Sequence, residues 1–382
     1  MNWIIKYISI IISGNLLRFF FSFFPIKKDA IVFISFDGNK ISCNPLYIYK
    51  YIVNNNVDYS CKWVINKGVK YGNIPENQIV FKGSFHYYRV LLTARFIVTN
   101  DRLPSYLLFR RGQYLINTWH GGGAFKRTFG YPKGLVKWYL DKTTGLDSKR
   151  TSLFLTSSRM WTKVIARDSF HYYGKVLESG FPRNDVLFES NDDLKQSIRK
   201  RLEVDESSDI ILYAPTHRGS NVKASTIINQ QPINLVAVCE AWEKKNKNKS
   251  IVLFRGHHAM KKKILFENVI DVSDYPDMQE LILVSSLLIS DYSSCMWDYA
   301  LTHKPCFIYA PDFDEYLADP GFESNYKQWP FPICRNNEDL IEELLSFEKE
   351  RYSEDVDQYL DSYGSYEQGF ASKMLVSWME KQ

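Results

Sequence analysis

Four short polar segments of this 382-residue chain have the residue types that phosphate chemistry requires. The first begins with a histidine and continues with a flexible run and a cation: His120, Gly121, Gly122, Gly123 and Lys126. Backbone N–H groups of glycines approach anions closely, and a histidine beside them can act as a general base near neutral pH. A structural histidine in a helix-capping loop explains the same residues equally well.

The second and third segments each combine an arginine with histidine. Thr216 and Arg218 lie in one segment, and Arg255 and His257 lie in the other. Arginine binds phosphate through two parallel hydrogen bonds, and histidine can donate to a phosphoryl oxygen. The alternative is that the two segments are surface loops that happen to be basic and bind nothing. A metal site built from the histidines is disfavoured, because no carboxylate or cysteine spacing supports it.

The fourth segment places Asp291, Ser293 and Ser294 immediately before the apolar run 295–300. Aspartate and serine are favoured at helix starts, and a helix N-terminus with free N–H groups attracts anions. The sequence therefore favours an anion site here. The alternative is a buried helix for which Asp291 serves only as a cap.

Each of these segments follows a β-rich apolar run, which indicates how the fold positions them. The first series of predicted strands covers residues 30–36, 62–65, 96–100, 113–119 and 152–156. The second series covers residues 209–214, 250–254, 286–290 and 305–310. Helical stretches separate the runs, and the charged stretch 189–206 separates the two series. This alternation predicts two doubly wound α/β domains that face each other across a cleft, with ligands at the carboxyl ends of the strands.

The predicted organisation has three parts: a membrane-association segment at 1–28, an α/β domain at 29–190 and a second α/β domain at 191–382. In the first part, residues 3–24 are apolar but carry Lys6 and Arg18, and Lys27 and Lys28 follow. An amphipathic helix lying in the membrane interface fits this pattern best. A spanning helix and a helix packed on the protein core are the alternatives, and no cleavage site for a signal peptide follows.

Composition excludes several classes of protein. The chain has 48 Lys and Arg against 43 Asp and Glu, and a net charge of +5 does not by itself indicate nucleic-acid binding. Its six cysteines are scattered without a CxxC pair. We therefore expect reduced thiols in a cytosolic protein, and neither a zinc site nor a disulfide framework.

Seven motifs between residues 35 and 322 occur in the order that is typical of one family. They are Ser35-Phe36-Asp37-Gly38 with Asn44-Pro45, Thr118-Trp119-His120-Gly121, Gly180-Phe181-Pro182-Arg183-Asn184-Asp185, Tyr213-Ala214-Pro215-Thr216-His217-Arg218, Arg255-Gly256-His257, Asp291-Tyr292-Ser293-Ser294 with Asp298-Tyr299-Ala300, and Asp314-Glu315-Tyr316 with Gly321-Phe322. The chain resembles the CDP-glycerol glycerophosphotransferases, which are the teichoic-acid primases and polymerases. The resemblance implies a two-domain, glycosyltransferase-B-like fold and peripheral attachment to the cytoplasmic face of the bacterial membrane.

The resemblance also implies a reaction, in which an acceptor hydroxyl attacks the β-phosphorus of a CDP-polyol and CMP leaves. The implied catalytic residues are His120, which matches the family's general base, and His257, which together with Arg255 matches the family's pyrophosphate-binding motif. The remaining implied roles fall into three groups. They are donor binding or charge stabilisation by Thr216, Arg218, Ser293 and Ser294, an acceptor-side loop with Gly121, Gly122 and Lys126, and structural support by Asp291 and Asp298.

The implied substrates are CDP-glycerol or CDP-ribitol and a lipid-linked or capsular saccharide acceptor. The glycine-rich loop after His120 resembles the ribitol branch, and the chain length resembles the compact primases. No cofactor is expected, and Mg²⁺ is compatible with the sequence but not required by it.

Two other functions remain open at this stage. A glycosyltransferase of the same architecture would hold the phosphates of a nucleotide sugar with Arg255 and the helix after Ser293. A membrane-tethered scaffold without catalysis would function without His120.

Overall fold

The computed structural model describes residues 3–123, 125, 133–216, 230–256 and 269–382. The chain forms two compact units and crosses between them four times. Unit 1 consists of Met1–His120, Thr128–Asp185 and Ser365–Gln382, and unit 2 consists of Gly121–Arg127 and Val186–Gly364.

Thirteen strands and thirteen α-helices are described. The strands are β1 (Lys27–Ile34), β2 (Ser60–Ile65), β3 (Ile79–Phe81), β4 (Ala94–Thr99), β5 (Tyr114–Asn117), β6 (Thr151–Thr156), β7 (Val176–Glu178), β8 (Asp209–Tyr213), β9 (Ser250–Phe254), β10 (Val269–Asp271), β11 (Leu287–Ser290), β12 (Cys306–Tyr309) and β13 (Ile333–Cys334). The helices are α1 (Trp3–Phe21), α2 (Cys43–Asn54), α3 (Phe85–Thr93), α4 (Gly134–Arg150), α5 (Arg159–Trp161), α6 (Asp192–Arg201), α7 (Leu235–Asn246), α8 (Met278–Val284), α9 (Cys295–Ala300), α10 (Phe313–Ala318), α11 (Asn337–Ser346), α12 (Lys349–Tyr363) and α13 (Ala371–Glu380). A π-helical turn, Thr162–Ser169, continues α5.

Unit 1 is built on a seven-stranded parallel sheet with the order β3-β2-β1-β4-β5-β6-β7. The chain winds outward from β1 through β2 and β3, then returns to place β4 on the other side of β1. This reversal creates a switch point between β1 and β4. The loop after β1 and the loop after β4 diverge there and leave a crevice. Residues 31–34 of β1 are all buried, as is typical of a parallel strand covered by helices on both faces.

Unit 2 repeats this architecture with six parallel strands in the order β10-β9-β8-β11-β12-β13. Its switch point lies between β8 and β11. One face of the sheet packs on α7 and α11 through a cluster that includes Ile211, Val238, Trp242 and Leu344, all of them buried.

The predicted fold class, two doubly wound α/β domains, is confirmed. All nine predicted strands are present. Four further strands were missed, namely β3, β7, β10 and β13, and these are the four edge strands of the two sheets. They contain only two or three residues and are partly exposed, so they require no continuous apolar run.

The two units differ from the expected domain ranges. Unit 1 includes residues 1–28, and unit 2 includes Gly121–Arg127 and otherwise starts at Val186 rather than at 191. Residues 365–382 belong to unit 1 rather than to the second domain. The reason is a set of polar contacts that sequence periodicity does not reveal. Glu367 accepts hydrogen bonds from the Phe181 N–H (2.9 Å) and the Asn184 amide (3.1 Å), and the Asp185 carboxylate accepts from the N–H groups of Ala371 and Ser372 at the start of α13.

The amino-terminal helix also differs from the expectation, because α1 is apolar rather than amphipathic. It has a mean hydropathy of 1.5 and is long and apolar enough to cross a membrane, judged by length and composition alone. One face nevertheless packs on α3 and α4 of unit 1.

Replacing Glu367 with alanine should loosen the attachment of the carboxy-terminal segment. Hydrogen bonds to a charged acceptor contribute about 2 kcal/mol, so amide exchange in the segment 180–185 should accelerate by about 30-fold. Hydrogen-exchange mass spectrometry measures this directly. Glu380→Ala, at an exposed position of α13, serves as the control and should leave the exchange unchanged. Equal exchange in both variants would contradict the assigned role of Glu367.

Candidate active site

His120 lies at the switch point of unit 1. β1 and β4 end side by side, and the N–H of Phe36 donates to the side-chain oxygen of Asn100 (2.7 Å) just beyond them. The Nδ1 atom of His120 lies 2.7 Å from the backbone oxygen of Asn100. Because a carbonyl oxygen only accepts, Nδ1 must carry the proton of this hydrogen bond. In the neutral ring the lone pair is therefore on Nε2, which can accept a proton from a substrate.

The surroundings of His120 favour the neutral ring. Burial is the main cause that lowers the pKa of His120 below its ordinary 6.5, and the nearby charge of Arg183 lowers it further. The hydrogen bond to Asn100 and the charge of Asp101 raise the pKa but do not outweigh the burial. The ring is half-buried and stacks on Trp119, with centroids 4.4 Å apart. At neutral pH the site thus contains a proton acceptor rather than a cation.

Two side chains from distant motifs hold the backbone on which His120 sits. The Asn44 amide nitrogen donates to the carbonyl oxygens of Thr118 (3.1 Å) and Trp119 (3.0 Å). Its oxygen accepts from the N–H of Arg183 (3.1 Å), whose guanidinium in turn donates to the carbonyl oxygen of His120 (2.7 Å). Both side chains are buried, so these bonds replace water that the backbone carbonyls would otherwise need.

Backbone strain is concentrated at the same place. Phe36, Asp37, Cys43 and Trp119 have φ values of 47°, 55°, 61° and 49°. They make up four of the nine non-glycine residues with positive φ in the described part of the chain. Bulky residues seldom adopt this conformation, and such strain is found mainly at functional sites, where surrounding contacts enforce it. The strain therefore marks the carboxyl edge of unit 1 independently of the sequence motifs.

The switch point of unit 2 is closed by Asp291. The N–H of Thr216, after β8, donates to both carboxylate oxygens of Asp291 (3.0 and 2.9 Å), and the threonine hydroxyl also donates to Asp291. The N–H of Tyr292 is a further donor to this carboxylate. Asp291 thus ties the ends of β8 and β11 together. The N-cap position of α9 is occupied by Ser294.

Ser293 and Ser294 precede α9, a helix of only six residues. Ser294 is the residue before the first helical position but makes no side-chain capping bond, and the Ser293 hydroxyl accepts from the N–H of Cys295 (3.4 Å). Asp298, inside α9, is buried and accepts from the Gln279 amide (2.9 Å), which links α9 to α8. This hydrogen bond holds α9 against α8, and the supporting role of Asp298 stays a prediction.

The glycines after His120 pack against α9. A Cβ atom on Gly121 would lie 3.4 Å from the Ser294 side chain, and one on Gly122 would overlap the indole of Trp297. Close packing therefore requires glycine at 122, whatever further role the loop has in binding. The expected loop cation, Lys126, lies outside the described residues, as do Arg218 and His257.

Arg255 follows β9 at the carboxyl edge of unit 2. Its N–H donates to the Tyr213 carbonyl (2.8 Å), and its guanidinium donates to the Tyr275 carbonyl (2.9 Å). Burial lowers the pKa of Arg255, with a smaller opposing effect of Asp277, and leaves the residue cationic at neutral pH. A partly desolvated guanidinium binds phosphate more strongly than one in water.

Sequence reasoning placed His120, Thr216, Arg255 and Asp291 at strand ends, and the structure confirms those positions. It assigned no role to Asn44, Asn100 or Arg183. Asn100 directly follows β4. Because ligands bind at the carboxyl ends of the strands in such folds, its position alone could have identified it as a candidate. Asn44 and Arg183 act across more than 60 residues of sequence, and only the tertiary structure shows their partners. Among the described residues, no group of three or more His, Cys, Asp or Glu side chains is placed to hold a metal ion.

Comparison with known proteins identifies the family. The model of the CDP-glycerol:poly(glycerophosphate) glycerophosphotransferases matches residues 16–381. The chain belongs to this family. A teichoic acid poly(glycerol phosphate) polymerase of Bacillus spizizenii is 30% identical over 370 residues, with 92% of each protein covered. The Staphylococcus aureus ribitol-phosphate polymerase TarL is 30% identical over 379 residues, with 93% of this chain and 63% of the relative covered.

The fold of this glycerophosphotransferase-family protein matches a solved structure in the same family. The wall teichoic acid polymerase TagF has a TM-score of 0.81 at 29% identity, with 100% of this chain and 97% of the TagF chain covered. Some longer polymerases are matched over only 49–51% of their own length. The resemblance seen in the motifs is thereby confirmed, and the protein is a transferase of teichoic acid biosynthesis.

The tautomer and the pKa of His120 can be measured together. We expect a ring protonated at Nδ1 at pH 7 that titrates below 6.5, because burial disfavours the imidazolium. Nitrogen-15 NMR of the seven labelled histidines gives both quantities. His120→Gln identifies the signal by removing it, whereas His86→Gln should leave it in place. A proton on Nε2, or titration above 6.5, would contradict the geometry described here.

Proposed function

We propose that this protein transfers glycerol phosphate or ribitol phosphate from the CDP-polyol to a hydroxyl of a teichoic-type saccharide acceptor and releases CMP. The observation that carries the proposal is the fixed tautomer of His120, whose Nε2 is free of a proton at neutral pH. Family membership supports the donor class, because the matched relatives are named as glycerol-phosphate and ribitol-phosphate polymerases.

The reaction assigns a proton and a leaving group to definite atoms. The acceptor oxygen forms a bond to the β-phosphorus while its proton passes to Nε2 of His120. The bond between the β-phosphorus and the bridging oxygen breaks, and its electrons leave with CMP. A positioned base contributes roughly 10²–10⁴-fold to such a step.

Unit 2 supplies positive charge and polar groups for the donor in this proposal. Arg255 stays cationic in a partly desolvated position, and Thr216, Ser293 and Ser294 lie at the carboxyl ends of β8 and β11. Negative charge spreads over the phosphoryl oxygens in the transition state, so cations and hydrogen-bond donors that are already in place stabilise it. His257, Arg218 and Lys126 are proposed to assist on the basis of the motifs alone. We propose no resident metal or cofactor.

A second proposal concerns the membrane: α1 attaches the protein to the cytoplasmic face by lying in the interface. Five side chains at helical spacing form an apolar stripe and are 49–67% exposed: Ile5, Ile8, Ile12, Leu16 and Phe19. An exposed stripe of large apolar residues along a whole helix is typical of a surface that contacts lipid or another protein.

The opposite face of α1 packs on the rest of unit 1. This packing favours a helix that lies on the membrane over one that crosses it. Gly14 is buried against Leu108, where a Cβ atom would approach to 2.9 Å, and Phe21 lies against Phe85 with centroids 6.0 Å apart. Trp3 packs on Tyr139 at 4.8 Å. A helix that crossed the bilayer would have to leave these contacts.

A CMP-release assay tests the enzymatic proposal. Purified protein is given a membrane-lipid acceptor with CDP-glycerol, CDP-ribitol or a UDP-sugar. We expect acceptor-dependent CMP from one CDP-polyol, and His120→Ala should lower the rate by about 10²–10⁴-fold with donor affinity nearly unchanged. His86→Ala is the matched control. Adding EDTA tests the proposed independence from metal. UDP release from the sugar alone would replace the proposal with glycosyl transfer, and full activity of His120→Ala would remove His120 as the base.

The membrane proposal is tested by placing charges on the apolar stripe. The triple variant Ile5→Asp, Ile12→Asp and Phe19→Asp should stop co-flotation with phosphatidylglycerol vesicles, because each aspartate opposes burial in lipid. The folded units should remain intact, since all three side chains face solvent. Val236→Asp, at an exposed apolar position of unit 2, should still float. Continued flotation of the triple variant would rule out α1 as the attachment surface.

A further inference from the structure

A large cavity lies at the amino ends of the strands in unit 2, at the opposite edge of the sheet from Thr216 and Asp291. It has a volume of about 1200 Å³ and is lined by residues at or just before the starts of β8, β11 and β12. The phosphate chemistry proposed above uses the carboxyl ends of the same strands. The cavity is therefore separate from that site.

Cations surround this cavity. Lys195 and Arg199 project from α6, and Lys304 comes from the segment before β12. Four further basic side chains lie around the same cavity: Lys245, His303, Lys349 and Arg351. Three acidic lining residues, Glu189, Glu348 and Glu350, are exposed, as are the basic residues Lys245, Lys349 and Arg351. Lys195, Arg199 and Lys304 are more buried than these.

Asp209 is the remaining acidic group of the lining, and it already has neutral partners. Its carboxylate accepts from the Trp242 indole N–H (2.9 Å), the Ser286 hydroxyl (3.2 Å) and the Asn248 amide (3.4 Å). These bonds stabilise its negative charge within unit 2. No ion pair between Asp209 and the cations of the cavity is present in the described part of the chain.

Lys304 is the central cation. Its ammonium group donates to the carbonyl oxygens of Ile282 (3.2 Å) and Leu283 (2.9 Å) in the last turn of α8. It makes no ion pair with a carboxylate of any described residue. Burial lowers its pKa to about 8, and the charges of Lys195 and Arg199 act in the same direction.

The carboxylates that interact with the two cations of α6, Asp192 for Lys195 and Asp205 for Arg199, do not line the cavity. Arg199 donates to the carbonyl oxygens of Asp205 (2.8 Å) and Ser208 (3.0 Å), which carry no formal charge. Lys195 pairs with Asp192 at 3.0 Å, but that pair is on the surface and contributes little. Three like charges that converge on one concave surface repel one another, and a bound anion converts this repulsion into attraction.

We propose that this cavity binds a phosphate monoester or diester through Lys195, Arg199 and Lys304. An ammonium group, a guanidinium fork and a second ammonium match the oxygens of a tetrahedral anion. The same chemistry belongs to a soluble phosphate compound and to the headgroup of an anionic lipid. The volume of the cavity admits either a free phosphate or a glycerol phosphodiester.

Calorimetric titration of the full chain with inorganic phosphate and with glycerophosphoglycerol tests the proposal. Lys304→Gln should weaken binding by about tenfold or more, and Lys195→Gln by about threefold, because each removes one charge from the anion. Lys195 is partly exposed, so its variant tests the site even if Lys304→Gln fails to fold. Lys200→Gln, on the exposed side of α6 and not part of this lining, is the matched control and should bind as the unmodified protein does.

Two additional readouts separate the possible sources and sites. Lys195→Gln should leave CMP release unchanged, because the cavity lies at the opposite edge of the unit 2 sheet from Thr216 and Asp291. The substitution Lys195→Gln is compared with the unmodified protein for each ligand. A larger loss of binding to phosphatidylglycerol vesicles than to the soluble compounds would assign the site to lipid headgroups. Unchanged vesicle binding would assign it to soluble phosphates. Equal phosphate affinity in Lys195→Gln, Lys304→Gln and Lys200→Gln, or no binding at millimolar phosphate, would overturn the proposal.

Discussion

The backbone turn that carries His120 out of β5 is the constraint on which the functional edge of unit 1 depends. Trp119 adopts a φ of 49°, and the carbonyl groups on either side of the turn point into the protein, where water cannot satisfy them. Asn44 and Arg183 provide the missing donors, and Asn100 fixes the imidazole through its own backbone oxygen. The loss of Asn44 or Arg183 would remove hydrogen bonds from the backbone on which His120 sits.

In unit 2 a carboxylate, that of Asp291, holds the backbone at the strand ends in place. At its switch point the ends of β8 and β11 diverge, and Asp291 accepts three hydrogen bonds from Thr216 and one from Tyr292. In both units a buried polar side chain therefore spans the strand ends between which the ligand crevice of a doubly wound sheet lies. The family motifs thus contain two kinds of residue, those with a proposed role in the reaction and those that hold the backbone of the first kind in place.

The same distinction explains the corrections to the expected organisation. Gly122 was interpreted as part of a loop that binds substrate, yet close packing against Trp297 alone already requires glycine at this position. The motif residues Asn184 and Asp185 bind the returning carboxy-terminal segment through Glu367 and the first turn of α13. That segment belongs to unit 1 because of these polar contacts, although in sequence it follows unit 2.

By itself the sequence determined the fold class, the nine interior strands, the family and the positions of His120, Thr216 and Arg255 at strand ends. These features depend on local apolar runs and on short motifs, which are visible along the chain. Tertiary structure decided the four edge strands, the return of residues 365–382 to unit 1 and the partners of Asn44 and Arg183. It also brought Lys195, Arg199 and Lys304 around one cavity, although more than 100 residues separate the α6 cations from Lys304. Such features arise from hydrogen bonds and charges between distant segments, for which neither periodicity nor composition leaves a signal.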